Sequence, residues 1–150
     1  MTEPAPLRAV FDTNVVIATL LSRNPRSPLV ELMQRWRQNE FVLLYCEDLL
    51  AAYREKVAVK RVEVNKARRF FEGLVSTGTL VEIIPADVIP RVRVDPDDDV
   101  VLACAIVGRA THLVTYDPHL HALGEEYQGV RILDGLHFLY ALRGDAPPAS

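Results

Sequence analysis

The stretch Leu7-Arg8-Ala9-Val10-Phe11-Asp12-Thr13-Asn14-Val15-Val16 decides the fold. It reads as a short apolar strand over 7–12 that runs into an acid, Asp12. A helix follows at once, over about 13–22, with Val15, Val16, Ile17, Leu20 and Leu21 as its apolar positions. An apolar run without alternation suits a strand buried on both faces of a parallel sheet. Ligands of such sheets bind outside the carboxyl ends of the strands, which is where Asp12 stands.

Outward from this stretch, strands and helices alternate. Ser27-Pro28 is an N-cap followed by proline at the first helical position, opening a helix to about Asn39 with Leu29, Leu32, Met33 and Trp36 on one face. FVLLY at 41–45 is a second buried strand. Helices are expected over 47–57 and 64–76, the latter with Ala67, Phe70, Phe71 and Leu74 inward and Gly78 closing it. LVEII at 80–84 reads as a short edge strand. An acid-led apolar helix follows, with Val101, Leu102, Ala105 and Ile106 inward. Then come a core strand ending in Asp117 over 112–117, a short helix over 118–124, a last strand over 130–133 and a last helix over 135–143. The pattern predicts an α/β fold with a mainly parallel sheet. One domain is expected over 7–143, with loose tails at 1–6 and 144–150.

Composition limits the function classes. Apolar residues make up 49% and charged residues 25%, ordinary for a globular protein. No apolar run approaches the ~18 residues of a membrane span. The opening residues lack the basic and apolar segments of a secretory signal, so a cytoplasmic protein is expected. Cys46 and Cys104 lack metal-ligand spacing and read as buried free thiols. The net charge is −3, but residues 54–69 carry Arg54, Lys56, Lys60, Arg61, Lys66, Arg68 and Arg69 against Glu55 and Glu63. This local balance of +5 leaves −8 on the rest of the chain. Such a stripe is either a solvated helical surface or the footprint of a phosphate backbone.

Three acidic sites occupy comparable positions. Asp12 and Asp117 each follow a core strand, and Asp95, Asp97, Asp98 and Asp99 open the helix that leads into the strand before Asp117. A parallel sheet gathers all three at one edge. Carboxylates forced together repel unless a cation lies between them. Hard oxygen ligands of this kind suit Mg²⁺ or Mn²⁺. Each acid also has a structural reading as an N-cap, a dipole-favoured acid or a turn former. No G-x-G-x-x-G or G-x-x-x-x-G-K-[ST] is present, which argues against a nucleotide cradle. A haloacid-dehalogenase-like phosphatase would need Asp where Asn14 stands. His112, His119, His121 and His137 show no H-E-x-x-H spacing and read as surface or structural residues.

VFDTNVVI near the start, DPDDDVVLACAIVGRATHLVTYD in the second half and the spacing between them closely resemble PIN-domain proteins, in particular the bacterial branch of toxin components from toxin–antitoxin modules. The resemblance implies a three-layer α/β/α sandwich and a Mg²⁺- or Mn²⁺-dependent ribonuclease with three or four acids in a central pocket. Carried over by position, the first acid falls on Asp12, the third on Asp98 and the fourth on Asp117. Asn14 and Thr115 match supporting polar positions, and Asp99 or Asp95 could also reach the metal. The resemblance also implies an antitoxin partner and a homodimer. The Trp36 and Phe70/Phe71 helices are the only sequence support for self-association, and they read equally well as core.

The second acid departs from the pattern. The Glu usual in the helix after the second strand falls on Ala52. Asp48 and Glu55 lie on the same helical face, ~5–6 Å away at Cβ, and either could substitute; Glu55 has the longer reach. The expected function is therefore a metal-dependent ribonuclease built on Asp12, Asp98, Asp117 and Glu55, with RNA guided by the basic stripe. The alternatives are an RNA- or partner-binding module with little catalysis, favoured by Ala52, and a phosphohydrolase of small phosphate esters.

Overall fold

The computed structural model describes residues 5–90 and 96–145. Two expectations therefore lie partly or wholly outside the described residues: the tails, at 1–4 and 146–150, and the placement of Asp95.

Strand β1 (Leu7–Phe11) leads through Asp12 into helix α1 (Thr13–Leu21). Ala9, Val10 and Phe11 are all buried, although successive strand residues face opposite sides. Both faces of β1 are therefore covered, as its unbroken apolar run requires. Helix α2 (Pro28–Arg37) is capped by Ser27, whose hydroxyl accepts from the Leu29 N–H at 3.3 Å, with Pro28 in the first turn. Strand β2 (Phe41–Tyr45) precedes α3 (Glu47–Val59) and α4 (Val64–Thr77).

The expected strand over 80–84 is shorter and earlier. Strand β3 spans only Thr79–Leu80, and the chain then turns through a 3₁₀ helix over Pro85–Asp87, where the Asp87 carboxylate accepts from the Ile84 N–H. Residues 81–84 leave the ladder after Leu80, and Pro85, which lacks an N–H, opens the 3₁₀ turn that follows. Helix α5 (Pro96–Val107), strand β4 (His112–Val114) and helix α6 (Pro118–His121) follow, the last two shorter than expected. Strand β5 (Glu126–Tyr127) was not anticipated. It forms a hairpin with β6 (Val130–Leu133) through Gln128 and Gly129, both at positive φ (48° and 84°), as a two-residue hairpin loop requires. Helix α7 (Gly135–Arg143) ends at the left-handed Gly144.

The sheet order is β3-β2-β1-β4-β6-β5, parallel throughout except for β5. Helix α5 covers β1, β2 and β4, while α2 and α7 pack together against β2 and β4, completing the α/β/α sandwich. Phe11, Phe41 and Phe138 meet in edge-on and tilted contacts 5.2–5.9 Å apart. Trp36, Phe70 and Tyr53 form a second aromatic group. Trp36 and Phe70 are thus core residues, and the half-buried Phe71 lies under the Arg54 guanidinium, 5.4 Å from its centroid. Trp36 and Phe70 therefore follow the core reading of their helices.

The order of the strands fixes where a site can form. From β1 the chain steps outward to β2 and β3, then crosses back to place β4 on the other side of β1. The reversal opens a crevice beyond the carboxyl ends of β1 and β4.

Candidate active site

Asp12 ends β1 and caps α1, its Oδ1 accepting from the Thr13 N–H at 2.8 Å. The Asp12 backbone N–H donates to the Val114 carbonyl at 2.9 Å, so β1 and β4 are still paired where the acid emerges. From the β4 side the Thr115 hydroxyl donates to Asp12 Oδ2 at 2.7 Å and accepts from the Asp117 N–H at 3.0 Å. Thr115 is fully buried and Asp12 nearly so, at 6% exposure. A single hydroxyl thus ties together the two acids that follow the central strands.

Asp98 enters from the first turn of α5 and is buried, at 4% exposure. Burial alone would raise the Asp117 carboxyl. Hydrogen bonds with Asp98 and with the backbone and ring of His119 outweigh it and leave Asp117 below the ordinary carboxylate value. Single ligand atoms of Asp98, Asp117 and His119 lie within 4.8 Å of one another. Two carboxylates and an imidazole at that separation fit one divalent cation.

These acids open onto a cavity of about 570 Å³. Asp12, Asp98 and Asp117 line it, with Asn14 and Thr13 at the start of α1 and Asp97 at the start of α5. Helix α3 supplies the opposite wall: Asp48, Ala52, Glu55 and Lys56 all line it. The position expected to carry a glutamate is therefore in the cavity wall as alanine, flanked by the two acids that could replace it. Asp99 is buried, at 6% exposure, and does not line this cavity.

The basic stripe is divided. Lys56 stands at the acidic cavity, whereas Arg69 lines a separate cavity between α2 and α4 with Trp36 and Arg37. Arg54 covers Phe71, Arg68 bonds Asn65, and Lys66 donates to the Ser22 carbonyl at 3.4 Å. Lys60 and Arg61 are exposed at the turn after α3.

Beneath the cavity the core is polar. Tyr53 donates its hydroxyl to the Phe11 carbonyl, and its own ionisation is pushed up by burial and by Cys104, Asp12 and Cys46 around it. The thiols of Cys46 and Cys104 are buried, unbridged and hydrogen-bonded to each other; that contact and burial push Cys104 up.

Two features escaped the reading of the sequence. His119 is an exposed residue, as a surface or structural reading expects, and lies outside the cavity lining, but its Nδ1 is 3.2 Å from Asp117 Oδ1, which brings its ring beside the acids. Lys56 was placed only on the basic stripe, although its spacing of four from Ala52 puts it on the cavity face of α3.

A family model for the PIN domain matches residues 8–119. No curated protein matches the sequence. Among solved structures, FitAcB from Neisseria gonorrhoeae has a similar fold, with a TM-score of 0.55 and 17% identity, covering 86% of this chain and 99% of that one. Among the described residues no helix is long and apolar enough to cross a membrane. The family match spans most of the chain and takes in Asp12, Asp98 and Asp117: this chain belongs to the PIN-domain family.

Proposed function

We propose that the protein is a metal-dependent ribonuclease that hydrolyses RNA phosphodiester bonds. The observation that carries this reading is the convergence of Asp12, Asp98 and Asp117 on one cavity at the sheet's topological switch point. Asp98 and Asp117 would hold Mg²⁺ or Mn²⁺, with Asp12, joined to Asp117 through Thr115, as the third acid and Glu55 or Asp48 in place of the glutamate missing at Ala52. When bound, such a cation supplies water activation and neutralises charge developing on a phosphoryl group.

The chain's own residues do the rest. Thr115 and the Thr13 N–H fix the Asp12 carboxylate, so it meets its ligand without reorganising. The Lys56 ammonium, the one basic side chain among the described residues of the cavity lining, would meet a phosphate of the incoming strand. Arg54, Lys60, Arg61, Lys66, Arg68 and Arg69 extend that contact along α3 and α4, which makes affinity salt-dependent and tolerant of sequence. A cytoplasmic location, an antitoxin partner and a homodimer belong to this proposal through the resemblance alone.

Ala52 favours a second reading, a PIN fold retained for binding RNA or a partner with little catalysis. Cleavage of a labelled single-stranded RNA with Mn²⁺ or EDTA separates the two. The nuclease reading expects cutting that EDTA stops and that Asp12→Asn abolishes. RNA binding without cutting, in wild type and variant alike, supports the binding module and overturns the nuclease.

A further inference from the structure

We propose that His119 is a nitrogen ligand to the cation of this site, and that the site therefore selects Mn²⁺-class transition cations over Mg²⁺. This rests on the metal-dependent reading above and adds to it the identity of a ligand and a preference.

Geometry is the first support. One ligand atom each from Asp98, Asp117 and His119 falls within 4.8 Å of the other two. An ion bound at about 2.1 Å to each ligand separates neighbouring ligands by roughly 3 Å and opposed ones by roughly 4.2 Å, so the three side chains need close only slightly to surround one centre. The second support is how the ring is held. The side chain of His119 is 46% exposed and free to turn outward, yet Nδ1 sits 3.2 Å from Asp117 Oδ1, the oxygen that also accepts from the His119 N–H at 2.8 Å. Proline between them restricts the backbone, so Asp117 and His119 approach the centre as a pair.

Chemistry gives the direction. Mg²⁺ takes oxygen ligands in near-ideal octahedral geometry and keeps its waters; imidazole suits Fe²⁺, Ni²⁺ and Zn²⁺, and Mn²⁺, though the most oxygen-loving of that series, accepts a nitrogen ligand more readily than Mg²⁺ does. Ala52 leaves that position of the wall without a carboxylate, so an oxygen-based hold on Mg²⁺ depends on Asp48 or Glu55 reaching in from either side. A neutral nitrogen compensates for a transition cation and not for Mg²⁺.

The test is pulsed electron paramagnetic resonance on the full chain loaded with Mn²⁺, on wild type, His119→Gln and His137→Gln. His137 is a control in another cavity, its Nδ1 bonded to Asp134. The proposal expects directly coordinated nitrogen in the wild type and in His137→Gln, and its loss in His119→Gln. Titration should show Mn²⁺ affinity falling about 10-fold or more in His119→Gln while Mg²⁺ affinity is unchanged. Mn²⁺ that binds without nitrogen coupling, or coupling that survives His119→Gln, overturns this inference and leaves the metal-dependent reading standing. Failure of Mn²⁺ to bind the wild type overturns both.

Discussion

Thr115 carries more of the site than its size suggests. Its hydroxyl is the shared partner of the Asp12 carboxylate and the Asp117 N–H; Thr115 and Asp12 are buried and Asp117 is partly so. Thr115→Val keeps the shape and strands both partners. We expect a loss of about 1–3 kcal/mol in urea unfolding. We also expect Mn²⁺ affinity to fall about 10–100-fold by titration, as when a group that orients a metal ligand is removed. Thr115→Ser should restore both. His112 makes a separate prediction. Burial, then the nearby Arg131, lowers its pKa from 6.5 to about 4, so the folded protein holds it neutral. The unfolded chain binds the proton first, so this contribution to stability is complete above pH 6.5 and is lost as pH falls towards about 4. His112→Asn should flatten the dependence of unfolding free energy on pH across that window; an unchanged slope would refute the assignment. At this scale the sequence was informative where position alone decides. Asp12 is legible because it directly follows the apolar run of β1, whereas Asp117 lies three residues beyond β4, as the N-cap of α6. His119 is not legible, because its placement depends on which way a side chain turns, whereas Lys56 is readable from its spacing of four from Ala52.

Among the elements, α3 and α5 form the facing walls of the cavity, and each is anchored by one small device. Tyr53 ties α3 to the carbonyl of Phe11, the residue before Asp12. Tyr53→Phe removes a buried donor and should cost about 1–3 kcal/mol in unfolding free energy. Gly108 follows the last turn of α5, where an added Cβ would lie 2.7 Å from Val81 Cγ2 and 2.9 Å from the Cys104 carbonyl oxygen. Gly108→Ala therefore overpacks the seat of α5 on β2 and should destabilise by about 1–3 kcal/mol, read by thermal or urea unfolding. The longer elements were legible because burial imposes a period on ten or more residues, as along α2 and α4. β3 and β5 were not: two residues carry no periodicity. The β5–β6 hairpin was announced only by Gln128-Gly129, a weak signal because glutamine rarely takes positive φ.

For the whole molecule, alternation of strands and helices predicts a parallel sheet but not the order of its strands. That order depends on which crossovers pack best, which no local pattern encodes. It is also what makes the site: the reversal at β1 sets Asp12 beside Thr115 and Asp117, while the crossover helix α5 delivers Asp98. The account's central claim is that this crevice holds a divalent cation. Crystals soaked in Mn²⁺ and measured at the manganese absorption edge test it most directly. An anomalous peak is expected between Asp98 and Asp117, on the side facing Asp12. A fully soaked crystal with no peak in that crevice would contradict it.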